Sequence, residues 1–424
     1  MGPITLFDKS FIQMLNIDEA AIFDVLYNSN ICPIYFVEVL GDLSKDETVD
    51  SPEKIVGDIA RKTPILNASP NVFHLELALG ELLGNRIEMR EVPAIGGARP
   101  VRYEGKAGVV YEESPESKAF SRWQDQRFSD LEREFASRWR TQVLATDNRA
   151  AARIAREALR IQHAPKSLDE ALAIAKEAVG SVRNRYATLK AAYSLLGLPN
   201  SYWEGVREYW KEVGGPPISE FAPYASHCLL VDTFFYVCVD KGLIAGERAS
   251  NRIDMAYLYY LPFTMMFVSN DRLHRRTAPM FMNERQQFVY GEDVKKDLAQ
   301  LDRYYSALPD SQKEEGLFRL AAYPPNDDRF LATRLHRQYG MAMRPTSKDP
   351  TEIGREAKEK ILARSRGISE APPVPLDELS PDELRNPEGI VIKRRVPLHR
   401  GKWRILPPGV EKQGDEQGSE ETPT

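Results

Sequence analysis

Cysteine is scarce: Cys32, Cys228 and Cys238 are the three thiols in a chain of 424 residues. So few cannot staple a secreted scaffold, and a reducing compartment is the expectation. No CxxC, HExxH or Cys/His cluster occurs, which argues against structural zinc. Neither GxxxxGKS/T nor GxGxxG is present, so nothing signals a nucleotide-phosphate cradle, and no GxSxG elbow marks a serine hydrolase. Long apolar runs are missing. Stretches such as 261–269 are too short to span a bilayer, and residues 1–16 lack the basic and apolar regions of a signal peptide. A cytoplasmic protein without a membrane segment is therefore expected. Excess positive charge is also lacking: the formal net charge is −5, so any nucleic-acid surface must be a local patch.

What is present is an ordinary globular composition, 42% hydrophobic and 28% charged, which excludes global disorder. At roughly 100–200 residues per domain, the length suggests two or three domains. The first segment reads strand, helix, strand, helix. Ile4–Phe7 is a short apolar run, helices are expected over 11–15 and 18–27, and Asn28-Ser29-Asn30 reads as a turn before a short buried strand at 31–34. Residues 35–43 read as an apolar helix carrying Glu38 and Asp42 at i, i+4. Residues 46–113 read as an acidic loop, a helix within 69–83 and a broken hairpin over 84–111. Residues 114–221 carry helical periodicity with many i, i+4 charge pairs, and four of the five tryptophans lie there, where core packing is the expectation.

From residue 222 the pattern returns to α/β. An apolar helix over 222–243 carries Asp232, expected as a buried paired group. Asp254 is expected to open a helix that ends near Pro262. A buried strand over 263–268 then runs into Ser269-Asn270-Asp271. More helices are expected within 291–366. From 367 onward a Pro-rich and then acidic tail is expected to be largely disordered, apart from a basic stretch, 393–404, with Trp403 in it.

The residues that bear chemistry are carboxylates. Asp8 and Asp271 each follow a buried strand, and ligands of open parallel sheets sit in the crevice beyond the strands' carboxyl ends. Glu38 and Asp254 lie on apolar helices, where an unpaired carboxylate is costly. If the fold brings the four together, their repulsion calls for a cation, and Mg²⁺ or Mn²⁺ suits oxygen ligands. Asp8-Lys9-Ser10 after the first strand resembles the opening Asp-x-Ser of PIN domains. The helix with Glu38 resembles their second motif, and the unit from Asp254 to Asp271, closing on Ser269-Asn270-Asp271, resembles the third and fourth. Residues 253–274, IDMAYLYYLPFTMMFVSNDRLH, are also similar to a group of large bacterial proteins with a PIN-like domain.

The resemblance covers about residues 1–45 and 225–285, with the core placed at 1–45 and 222–290. It implies a discontinuous PIN-like, Rossmann-type α/β core with a large, mainly helical insertion over 114–221, the membership of 46–113 being open. It further implies metal-dependent phosphodiester hydrolysis, RNA before DNA, with Asp8, Glu38, Asp254 and Asp271 as the catalytic and metal-binding set and Ser10 and Ser269 as supporting hydrogen-bond donors. Beside that set, Arg272, His274, Arg275 and Arg276 are candidates for nucleic-acid contact. The plainer alternatives are surface ion pairing for the arginines, a carbonyl-bonded structural role for His274, and helix capping for Asp8 and Asp254. The insertion would select substrate or dock a partner protein. The alternative function is a non-catalytic scaffold that binds RNA or a protein, with the carboxylates too far apart for metal. The basic stretch 393–404 would either clamp single-stranded nucleic acid or cover the acidic body of its own chain.

Overall fold

The computed structural model describes residues 2–46, 50–344, 355–380, 382, 383 and 386–407. In chain order, β1 (Ile4–Phe7) leads to α1 (Lys9–Met14), α2 (Ile17–Leu26), β2 (Asn28–Ile31) and α3 (Pro33–Gly41). Then come α4 (Pro52–Lys62), β3 (Ala68–Pro70), α5 (His74–Leu82), and the hairpin β4 (Ala98–Tyr103) and β5 (Lys106–Tyr111). Seven helices follow: α6 (Pro115–Gln124), α7 (Asp130–Ala145), α8 (Asn148–Ala158), α9 (Leu168–Val179), α10 (Arg185–Leu195), α11 (Trp203–Glu212) and α12 (Ile218–Phe221). The chain returns through α13 (Pro223–Asp240), α14 (Ser250–Ala256), a 3-10 segment (Tyr257–Phe263), β6 (Met266–Ser269), α15 (Arg272–Thr277), β7 (Gln287–Tyr290) and α16 (Gly291–Ser306).

The protein is α/β, with a five-stranded, all-parallel central sheet in the order β3-β2-β1-β6-β7. β1 and β6 are buried along their whole length and mostly apolar, Thr5 and Ser269 excepted, as strands covered on both faces must be. The chain builds outward from β1 to β3 on one side, then starts again at β6 on the other. The order therefore reverses between β1 and β6, and the crevice at their carboxyl ends is the topological switch point. Thr5, Leu6 and Phe7 pair with Met266, Phe267 and Val268, so the register brings Asp8 beside Ser269.

Several local expectations are corrected. Asn28-Ser29-Asn30 is not a turn but strand β2. Ser29 and Asn30 are fully buried, and pairing with β1 and β3 on both sides overrides their turn preference. The Asn30 side chain donates to the Phe263 carbonyl (3.0 Å) and accepts from Asn71 (3.1 Å), so its burial leaves those groups satisfied. Pro33 takes the first position of α3, where its missing N–H has no cost. Residues 46–113 contribute β3 to the central sheet and also α4. That helix places Val56, Ile59 and Ala60 on one buried face behind the Ser51 cap. Asp254 does not open its helix: α14 begins at Ser250, so Asp254 sits inside it and caps nothing.

The C-terminal segment is likewise not all tail. β8 (Gly389–Ile392) extends the β4–β5 hairpin into a three-stranded sheet, and β9 (His399–Arg400) pairs with β10 (Trp403–Arg404). Gly401, at a φ of +59°, makes that turn where a Cβ would run into Asp18. Arg400 is buried against Asp24, Lys402 and the Trp403 indole both bond Asp302, and Lys393 pairs with Glu112. The basic stretch thus covers the chain's own acidic surface. The start of the helix expected over 352–366 and the acidic end beyond residue 407 lie outside the described residues; within them the helix runs Arg355–Glu370. Among the described residues, no helix is long and apolar enough to cross a membrane.

Candidate active site

Asp8 stands at the end of β1 and caps α1, accepting from the Phe11 amide (3.0 Å). Capping occupies one oxygen only. The other accepts from the Ser10 hydroxyl (2.7 Å) and the Ser269 hydroxyl (2.8 Å), with His274 Nδ1 at 3.5 Å. Ser10 comes from α1, Ser269 from β6 and His274 from α15, and the register of β1 on β6 brings them to Asp8.

The protonation of His274 follows from its neighbours. Nε2 lies 2.7 Å from the Asp254 carbonyl, which can only accept. Nδ1 lies 2.8 Å from Ser269 Oγ, whose single proton goes to Asp8 and which also receives the Asp271 amide (2.9 Å). Both ring nitrogens must donate, so the ring is an imidazolium. Burial opposes this charge, but the Asp8 hydrogen bond and carboxylate, with Asp254, raise the pKa to about 9. Conversely, burial would raise the Asp8 pKa, but His274 and the two serines override it and hold it below the ordinary value. His274 is 1% exposed. It is therefore a structural cation that ties α14 to β6, and the expectation that it touches nucleic acid is corrected.

Glu38 and Asp254 approach from the helices. Glu38 accepts from Tyr257 Oη (2.6 Å) and pairs with Lys9 Nζ (3.2 Å). Lys9 also binds Asp42 at 2.9 Å, so Asp42 is buried rather than solvated. Burial would lower the Lys9 pKa, but the two carboxylates raise it, and it remains an ammonium. Asp254 is different: its Oδ2 is buried with no hydrogen-bond partner among the described residues. Burial pushes its pKa up to about 7; the His274 charge opposes this, and the charges of Glu38 and Asp271 add to it. Those two carboxylates therefore lie close enough to act on it. Asp271 caps α15 through the Leu273 amide (2.5 Å).

Glu38 and Asp271 thus act on Asp254, and Asp8 meets Ser269 and His274 next to them, but two of the four expected carboxylates already have cations from the chain, Asp8 from His274 and Glu38 from Lys9. Among the described residues, no three His, Cys, Asp or Glu side chains stand together as a ready metal cage. Arg272, Arg275 and Arg276 project from α15 beside Asp271. All three are exposed, and among the described residues none forms an ion pair; Arg275 rests over the Tyr290 ring at 5.2 Å. Asp232 is a buried paired group, held by Arg252 (2.9 Å) and Tyr259.

Two members of the cluster escaped the sequence reading. Tyr257 is three residues past Asp254, a spacing that puts both on one side of the chain there. Lys9 is the middle residue of Asp8-Lys9-Ser10, and no local signal says that its ammonium turns back to α3. Comparison with protein-family models, curated proteins and solved structures finds no match to this chain.

Proposed function

We propose that the chain is a metal-dependent nuclease of the PIN type, acting on RNA before DNA. The observation that carries this reading is Asp254: a buried carboxylate oxygen without a partner among the described residues, facing Glu38 and Asp271 at the switch point of a parallel sheet. An oxygen so placed is costly unless a cation neutralises it. Asp254 and Asp271, with Glu38 as the third carboxylate, would hold one hard divalent ion, Mg²⁺ or Mn²⁺, once drawn together by it, since among the described residues they do not already form a cage. The donor set does not fit two, because Asp8 is saturated by Ser10, Ser269, His274 and its own cap.

When bound, such an ion supplies a water of lowered pKa and positive charge at the scissile phosphate. The chain's residues do the rest. Asp8 and His274 hold Ser269, and His274 holds the Asp254 backbone. Lys9 and Tyr257 fix the Glu38 carboxylate. The exposed, ion-pair-free Arg272, Arg275 and Arg276 suit bidentate contact with phosphates.

A second reading is favoured by the internal cations. With Lys9 and His274 already neutralising two carboxylates, and no three-ligand cage assembled, a non-catalytic scaffold that binds RNA or a protein partner through the arginine rim is the alternative. Labelled single-stranded RNA and DNA, incubated with Mn²⁺ or Mg²⁺, separate the two. The nuclease reading expects cleavage that EDTA and Asp271→Asn both abolish. Equal RNA binding by wild type and variant without cleavage supports the scaffold.

A further inference from the structure

A cavity of about 200 Å³ lies beside the carboxylates. Ile34 and Val37 of α3 form one wall, next to Glu38 on the same helix. Arg252, Ile253 and Ala256 of α14 form the opposite wall, and Asp254 stands on the neighbouring face of the same helix. Tyr259, Trp139 and the His74 imidazole, which lies 4.7 Å from the Tyr259 ring, complete it with aromatic surface. Trp139 belongs to α7, and its indole lies against the backbone of α3: a Cβ at Gly41 would stand 2.2 Å from the ring. Trp139 thus brings the helical region between β5 and α13 to this cavity.

The lining selects a class of ligand. It is apolar and aromatic, with no carboxylate among its side chains. Its one fixed cation is the Arg252 guanidinium, which Asp232 holds at 2.9 Å and which lies over the Tyr259 ring at 5.6 Å. A cavity of about 150 Å³ accepts a benzene ring, so this one has room for a small heterocycle. A flat ring with carbonyl or ring-nitrogen acceptors matches aromatic walls and a guanidinium. An aliphatic side chain of a peptide would offer no acceptor to the guanidinium N–H groups that Asp232 does not hold.

We propose that this cavity takes one unpaired nucleobase of a single-stranded nucleic acid, delivering the adjoining phosphate to Glu38, Asp254 and Asp271; the delivery rests on the nuclease reading of those carboxylates. A base in a duplex is stacked and paired and cannot enter, so the cavity makes the substrate single-stranded.

The test is calorimetric titration of the full-length chain with adenosine and uridine in EDTA, with ribose as the base-free control. Neither metal nor cleavage is needed. Trp139→Ala removes the stacking wall, and Val37→Trp fills the cavity without touching that wall; each is first shown to melt as wild type. At least one nucleoside binds at millimolar concentration, ribose does not, and each variant weakens binding by roughly 5- to 150-fold, the range for loss of one base–aromatic stack. No binding of either nucleoside, equal binding of ribose, or unchanged affinity in both variants overturns the proposal. The nuclease reading fails separately. Nucleoside binding with no metal-dependent cleavage by wild type leaves the cavity assigned and the nuclease refuted. Cleavage of RNA by Trp139→Ala and Val37→Trp with wild-type KM leaves the nuclease standing and refutes the cavity.

Discussion

Asp254→Asn should stabilise the metal-free protein while disabling the site. Burial, reinforced by Glu38 and Asp271 against the opposing His274 charge, moves this carboxyl from 3.8 to about 7. That gap corresponds to about 4 kcal/mol against the ionised form. Solvent screening at a half-buried position reduces it to roughly 2 kcal/mol. The folded chain holds a proton that the unfolded chain has released. The stability from this group is therefore complete below pH 3.8 and is lost as pH rises through about 7. Asparagine cannot ionise, escapes that loss, and can donate its amide towards Glu38 or Asp271. In urea unfolding followed by circular dichroism, the variant is expected to exceed wild type by roughly 2 kcal/mol at about pH 8 and to match it near pH 4. Added Mn²⁺ should reverse the order, stabilising wild type alone, because a ligand that binds only the folded state shifts its stability. A variant less stable than wild type at the higher pH, or a difference that does not change with pH, refutes the reasoning.

Other outcomes can be checked on the same protein. His274 has its pKa raised to about 9 against an ordinary 6.5, so the stability it contributes is present below pH 6.5 and lost as pH rises through 9; thermal melts across that window should show a decline that Asp8→Asn flattens. Arg400→Met leaves Asp24 buried without its guanidinium partner and should cost about 3–5 kcal/mol in urea unfolding, with Asp24→Asn recovering part of it. Gly41→Ala drives a Cβ into the Trp139 ring and should cost about 1–3 kcal/mol, with a red-shifted tryptophan emission as the indole lifts off α3; an unshifted spectrum and melt would show that the ring is not seated there.

The legible parts of the site were those with a local signature. Asp8 and Asp271 each follow a short apolar strand within two residues, so their place at strand ends is written in the adjoining sequence. Glu38 lies on a helix announced by apolar spacing and opened by Pro33. Where the local signal pointed the wrong way, tertiary pairing won. Asn28-Ser29-Asn30 has turn chemistry, and only the flanking strands β1 and β3 make it a strand. His274 reads as a nucleic-acid contact beside arginines, yet Ser269 and the Asp254 carbonyl occupy both its nitrogens, with the Asp8 carboxylate, distant in sequence, at 3.5 Å.

The amino-acid sequence by itself determined the α/β class, the helical segment between the two parts of the sheet, and the carboxylates that end the strands. These depend on periodicity over a few residues, and a few residues suffice to carry it. Only the tertiary structure decided which charges meet. Arg400 reaches Asp24 across 376 positions of chain. Lys9 turns back to Glu38 and Asp42, Trp139 settles on Gly41, and Asp254 is left with an oxygen that none of the described residues satisfies. A charge is read as solvated or paired according to what folds against it, and that is a property of packing over distances no local window contains.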